Sequence, residues 1–158
     1  MIILGIDPGY ERVGVSLLEK NKTQTTLLHS ACILTNKKET LSERMYTIGQ
    51  EVEKVIEKYS PSVLAIEDLF FASNQKTVMG VSAVRGIIIY IAKKNGMKVY
   101  EYTPLQIKIA LTGYGRADKS QVSFMVQKLL SLSLEKRLDD EVDAIACALT
   151  ASADSSIR

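Results

Sequence analysis

The stretch that most constrains this chain is its beginning, Met1–Gly9, which reads MIILGIDPG. Ile2, Ile3, Leu4, Gly5 and Ile6 make a continuous, mostly apolar run, the pattern of a strand buried on both faces at the centre of a covered sheet. The run stops at Asp7, and Pro8-Gly9 turns the chain away. A carboxylate is therefore set at the rim of the most buried element. Such a group is costly unless it is paired or holds a cation. The simpler alternative is a turn cap, in which Asp7 accepts from nearby backbone N–H groups.

The rest of the chain has room for a core around that strand. Its 158 residues are 46% hydrophobic and 24% charged, the balance of one globular domain spanning 1–158 and not of a disordered segment. A formal charge of +2 gives no overall polyanion signature. Setting aside four acids discussed below leaves a more basic body around an acidic pocket, which suits a nucleic-acid enzyme. Cys32 and Cys147 lie far apart in apolar contexts, as buried free thiols of a reducing cytosol do. The first apolar run has no basic leader, and Val78–Ala92 is interrupted by Arg85 and too short to span a bilayer. The expectation is a soluble, cytoplasmic protein with no membrane partner.

Val13–Leu18 and Thr25–Leu34 read as two further strands, so the chain opens with an antiparallel meander. His29, the lone histidine, lies in the third strand without metal-ligand company and is read as structural. Thr40-Leu41-Ser42-Glu43 is a capping box, followed by Met45, Ile48, Val52, Val55 and Ile56 on one helix face. Val63–Ile66 is a fourth strand, again ended by an acid, Glu67. A loop with Phe70 and Phe71 precedes a helix over Thr77–Lys94 that is apolar nearly all round. Such a helix needs two surfaces to cover, the sheet and a second one, for which a homodimer interface is preferred. Gly80 and Gly86 within it suggest close helix approach. Met97–Glu101 is a fifth strand, Thr103-Pro104 starts a short helix, Asp118–Gln121 caps another, and Asp140–Ala151 is the last. The order gives an α/β fold, a five-stranded mixed sheet of antiparallel meander plus parallel strands with helices on both faces. No G-x-G-x-x-G or P-loop motif supports a nucleotide cofactor.

If the first strand is central and the fourth pairs beside it in parallel, Asp7 and Glu67 emerge at one carboxyl edge, where open α/β sheets place their sites. Asp140 and Asp143, three apart, share a face of the last helix. Acids in a first helical turn also serve the macrodipole without any further function. Four carboxylates gathered together raise one another's pKa values, and divalent cations relieve that. Oxygen ligands without His or Cys indicate Mg²⁺ or Mn²⁺. A pair of such ions suits phosphodiester cleavage.

The segments GIDPG with Asp7, AIEDLFFASN with Glu67, YTPLQIKIALTGYGRADKSQV, and DDEVDAIACAL with Asp140 and Asp143 resemble the RuvC-type Holliday junction resolvases of bacteria. The similarity runs in order over nearly the whole chain. It implies a ribonuclease-H-like fold and a homodimer. It implies magnesium-dependent, symmetric nicking of two strands of a four-way DNA junction, leaving 5′-phosphate and 3′-hydroxyl ends. Asp7, Glu67, Asp140 and Asp143 match the family's catalytic metal-binding acids. Lys108 and Lys119 match its basic residues near the scissile phosphate, and Phe70 an aromatic that stacks on an unpaired base. The resemblance further implies the branch-migration proteins RuvA and RuvB as partners. Arg12, Lys76, Arg85, Lys108 and Arg116 are candidate phosphate contacts. Three alternatives stay open on sequence: a related nuclease of the same fold on another nucleic acid, a junction-binding scaffold without hydrolysis, and an actin-like ATPase. The last is disfavoured because the chain lacks a second half to close over a nucleotide.

Overall fold

The computed structural model describes residues 1–68 and 75–157, with the side chains of Gln75 and Lys76 outside that description. Along it run β1 (Ile2–Asp7), β2 (Arg12–Lys20), β3 (Thr25–Leu34), α1 (Leu41–Tyr59), β4 (Val63–Glu67), α2 (Gln75–Lys94), β5 (Lys98–Tyr102), α3 (Pro104–Thr112), α4 (Lys119–Leu130) and α5 (Asp139–Ala153). The sheet order is β3-β2-β1-β4-β5. The first three strands pair antiparallel, and β4 and β5 join in parallel on the other side of β1. The expected mixed sheet is thus present, with its most apolar strand at the centre. Among the described residues no helix is long and apolar enough to cross a membrane.

Strand alternation splits the core into two layers. Leu4 and Ile6 of β1 and Leu64 and Ile66 of β4 pack with Ile48 and Val52 of α1 and Val84 and Ile88 of α2. Ile3 of β1 and Val63 and Ala65 of β4 face the other way, against Ile107, Val122, Val126, Val142 and Ile145 from α3, α4 and α5. Helix starts follow the local chemistry. Thr40 with Glu43, Thr103 with Gln106 and Asp118 with Gln121 form complete capping boxes. Ser60 and Gly113 close α1 and α3 in the left-handed region, at φ 47° and 72°.

The tightest packing lies between α5 and the sheet. A methyl placed on Gly14 would fall on the Asp140 carbonyl, and one on Gly5 would meet the Ala144 carbonyl and the Ala148 methyl. Beside them the Ser16 hydroxyl, fully buried in β2, donates to the Ala144 carbonyl at 2.8 Å. The C-terminal end of α5 is tied down as well. Tyr102 donates to Asp154 Oδ2 at 3.0 Å, and Lys20 donates to the Ser152 carbonyl.

The glycines of α2 do something other than the sequence suggests. Gly80 sits under the Tyr10 ring, and Gly86 has open space around the position of a side chain. Neither marks a helix–helix approach within the protomer. That contact is made at Gly49 of α1, which receives Ile87 and Ile91. The outer face of α2 leaves Met79 72% and Tyr90 66% exposed. His29 stacks on Tyr59 with ring centroids 5.6 Å apart, a structural role.

The packing generates a stability prediction with a built-in control. Gly14→Ala forces the α5 backbone off the sheet and lowers unfolding free energy by about 3 kcal/mol. Gly86→Ala, which meets nothing within the single chain, raises the stability of the isolated protomer by about 1 kcal/mol through helix propensity. Urea unfolding of the two variants measures both, and a Gly14→Ala protein as stable as wild type contradicts the packing account.

Candidate active site

Alternation along β1 puts Ile3 and Gly5 toward α5, so Asp7, two residues on, takes the same side. Val63 and Ala65 do the same on β4, and Glu67 follows them. The parallel register runs Ile3↔Val63 to Ile6↔Ile66, so its next step sets Asp7 beside Glu67 on strands about 4.8 Å apart. Over this edge lies the first turn of α5, seated by Gly5 and Gly14, with Asp140 and Asp143 on it.

The charges respond as close acids should. Burial pushes the Asp7 carboxyl up to about 7, helped by the charges of Glu67, Asp143 and Asp140 and opposed by Lys119. Glu67 is likewise raised to about 7, first by burial and then by Asp143. Two cations meet the other pair. Lys119 Nζ donates to Asp143 Oδ2 at 3.1 Å, a bond that raises the lysine's own pKa. Arg12 Nε lies 3.3 Å from Asp140 Oδ2, an oxygen that is buried and accepts no hydrogen bond. Beneath the acids Cys147 is fully buried and its thiol is pushed well up, so it stays neutral.

Glu67 and Asp143 line a cleft of about 170 Å³ together with Lys108 and Lys119. The structure therefore brings four expected acids and two expected lysines to one region. Among the described residues, no three acids, histidines or cysteines are already drawn into a ready-made metal cage. The donor set fits a hard divalent cation all the same. It offers only carboxylate oxygens, with one buried oxygen lacking a hydrogen bond and two carboxyls raised by burial and by neighbouring acids.

The other expected contacts divide. Arg116 is exposed on the loop before α4. Phe70 and the Lys76 side chain lie outside the described residues. Arg85, expected at phosphates, is turned inward. Its Nε donates to the Glu67 carbonyl at 3.2 Å, and its other end pairs with Asp68 at 3.2 Å and with Glu101. Three anionic or carbonyl partners hold it in the protein, so its free charge is spent on the end of β4. Sequence reasoning also missed Arg44, which looks like a surface residue of an amphipathic helix. It is buried, donates to Thr35 Oγ1 at 3.0 Å and lies 5.1 Å over the Tyr10 ring, clamping the turn that follows Asp7. A charged residue one step after a capping box carries no local sign of such a role.

These shifts dictate how the metal-free protein responds to pH. Both folded-state values lie above the ordinary carboxylate range, so between about pH 4 and pH 7 the folded state keeps protons that the unfolded chain releases. Stability therefore falls as pH rises through that window, and the penalty persists above it. Asp7→Asn removes part of it. In chelator at pH 8 the variant is expected to exceed wild type by about 2 kcal/mol, after allowance for solvent screening at a half-open site. At pH 4 the difference vanishes, and equal urea midpoints at both pH values would refute the coupling.

Known proteins share this arrangement of elements. The family profile described as "Crossover junction endodeoxyribonuclease RuvC" matches residues 3–151. A protein of that name from Fusobacterium nucleatum is 41% identical over 150 residues, covering 95% of this chain and 79% of the relative. Its counterpart from Moorella thermoacetica is 45% identical over 149 residues, covering 94% and 89%. Among solved structures, T. thermophilus RuvC in complex with Holliday junction substrate superposes with a TM-score of 0.89 at 34% identity, over 95% of this chain and 92% of that one. The sheet, the edge acids and these similarities lead to one conclusion: the chain belongs to the RuvC family of crossover junction endodeoxyribonucleases.

Proposed function

We propose that this protein is a structure-specific endonuclease that resolves four-way DNA junctions in recombination and repair, by symmetric nicking of two strands. One observation carries the reading: Asp7 and Glu67 stand side by side at the carboxyl edge of the sheet, beneath the α5 acids Asp140 and Asp143, on a chain 41–45% identical to crossover junction endodeoxyribonucleases. In this reading Asp7, Glu67, Asp140 and Asp143 hold Mg²⁺, two ions in the arrangement common to phosphodiesterases, with Mn²⁺ as a substitute. When bound, such ions would activate the attacking water and neutralise charge on the leaving oxygen. Water adds to phosphorus, the bond to the 3′ oxygen breaks, and the products are a 5′-phosphate and a 3′-hydroxyl.

The chain's own residues do the positioning. Lys119, now resting on Asp143, is placed to stabilise charge developing on the phosphate. Lys108, half-buried in the same cleft, is a second electrostatic contact. Both also serve as DNA contacts, with Arg116 and the proposed contribution of Lys76 at the substrate backbone. Phe70 is proposed to stack on a base unpaired at the branch point. Arg85, expected as a phosphate contact, instead braces Glu67.

The working form is proposed to be a homodimer acting in the cytoplasm, with RuvA and RuvB as branch-migration partners. Support for the dimer comes from the outer face of α2, where Met79 and Tyr90 are bare on an otherwise apolar helix. Two nicks on opposite strands need two sites, which a twofold dimer supplies.

Four measurements test the reading. Asp7→Asn should lower nicking of a synthetic four-way junction in Mg²⁺ by at least about 10³-fold while leaving junction affinity near wild type. Lys119→Ala should cost about 10²–10³-fold in single-turnover rate, the scale of losing one charged stabiliser. Equal cleavage of junction and plain duplex would favour a less selective nuclease, and binding without any cleavage would favour a scaffold. Tyr90→Glu should shift sedimentation from dimer to monomer and uncouple the two nicks.

A further inference from the structure

The first turns of α4 serve two concavities. Lys119 and Val122 line the acidic cleft. Gln121, Phe124 and Met125 instead line a second groove of about 520 Å³, closed on its far side by Thr112, Tyr114 and Ala117. Tyr114 and Phe124 are each 55% exposed, so two ring surfaces flank one depression. A groove of this size accommodates a nucleobase with its sugar.

The backbone that carries the rings is held in place. The Tyr114 N–H donates to Thr112 Oγ1 at 3.1 Å, and its carbonyl accepts from the Ala117 N–H at 3.1 Å. Phe124 projects from a regular helix, with Lys128 Nζ 5.4 Å from the ring centroid. Two exposed cations accompany the rings, Arg116 two residues after Tyr114 and Lys128 beside Phe124, and no acid lines the groove. Asp118, the nearest acid in sequence, is occupied as the helix cap, accepting from the Gln121 N–H at 2.9 Å and from Ser120.

We infer that this groove is a stacking subsite for the DNA strand that continues from the scissile phosphate, holding an unpaired base against Tyr114 and Phe124. The inference rests on the nuclease reading above and adds a second contact region to it. Aromatic faces accept any base, and the two cations attract the phosphates on either side of it. The groove also shares α4 with the catalytic cleft, on a different face of the helix. A second copy of this chain fits less well, because a twofold contact would set one pair of cations against another.

The test compares Tyr114→Ala, Phe124→Ala and the ring-retaining Phe124→Tyr by anisotropy of a labelled four-way junction, with Ca²⁺ replacing Mg²⁺. Both rings are solvent-facing, so their removal leaves the fold intact, which circular dichroism checks. Each alanine variant is expected to bind about 5- to 150-fold more weakly, the range for loss of one base–aromatic stack. Phe124→Tyr should bind as wild type. The slope of affinity against salt should be the same in all four proteins, because no phosphate contact is removed. Wild-type affinity in both alanine variants overturns the subsite, as does a loss shared by Phe124→Tyr. A change in oligomeric state with DNA affinity unchanged also overturns it and gives the face to a protein contact. Failure of the nuclease reading looks different: wild type itself then shows no preference for the junction over duplex.

Discussion

Everything at the acidic edge depends on how close α5 can come to the sheet. Gly5 and Gly14 leave bare backbone where a helix carbonyl has to sit, and Ser16 turns that intrusion into a hydrogen bond. Ala144 and Ala148 keep the facing helix surface equally thin. Without this contact the first turn of α5 would stand off by the thickness of a side chain. Asp140 and Asp143 would then miss the carboxylates below them. The site is thus a product of small residues in the core layer next to it, more than of the acids themselves.

Given that seat, the charges sort themselves by surroundings. Asp7 and Glu67 come from strands packed mostly among apolar side chains, and burial leads in raising both. Asp140 and Asp143 start a helix nearer solvent, and each has a cation beside it, Arg12 and Lys119. A hard cation suits such an edge, because it can take the place of a cationic side chain on the same carboxylate oxygens. Behind the edge, Arg85 donates to the Glu67 carbonyl at the end of β4, and Arg44 bonds Thr35 and covers the Tyr10 ring in the turn after β1.

The path from sequence to this picture is uneven for physical reasons. Two apolar runs each ended by an acid were enough to place Asp7 and Glu67 together, because strand alternation and parallel pairing leave few other options. The caps at Thr40 and Asp118 were legible because their partners lie three residues away, and the start at Thr103 because a proline follows it. Gly5 and Gly14 were not, since a glycine in a strand does not say what approaches it. Arg85 was misread for a similar reason. Its partners Glu67, Asp68 and Glu101 are 16 to 18 residues distant, and pairing over such spans is set by the fold alone. Gly80 and Gly86 suggested helix contact by composition, but a tyrosine from the first turn fills one and open space surrounds the other.

The unusual start of α5 has one more consequence. Leu138 offers no side-chain oxygen to the helix that follows, unlike Thr40, Thr103 and Asp118 ahead of theirs. The job of steadying that terminus falls to Asp139, Asp140 and Glu141, whose charges oppose the positive end of the peptide dipoles. Asp140 therefore answers to two masters, and neutralising it loosens the very turn on which Asp143 rides. Drift at this position is doubly constrained, whereas a hydrophilic cap in place of Leu138 would relieve one of its duties and leave the other free to vary.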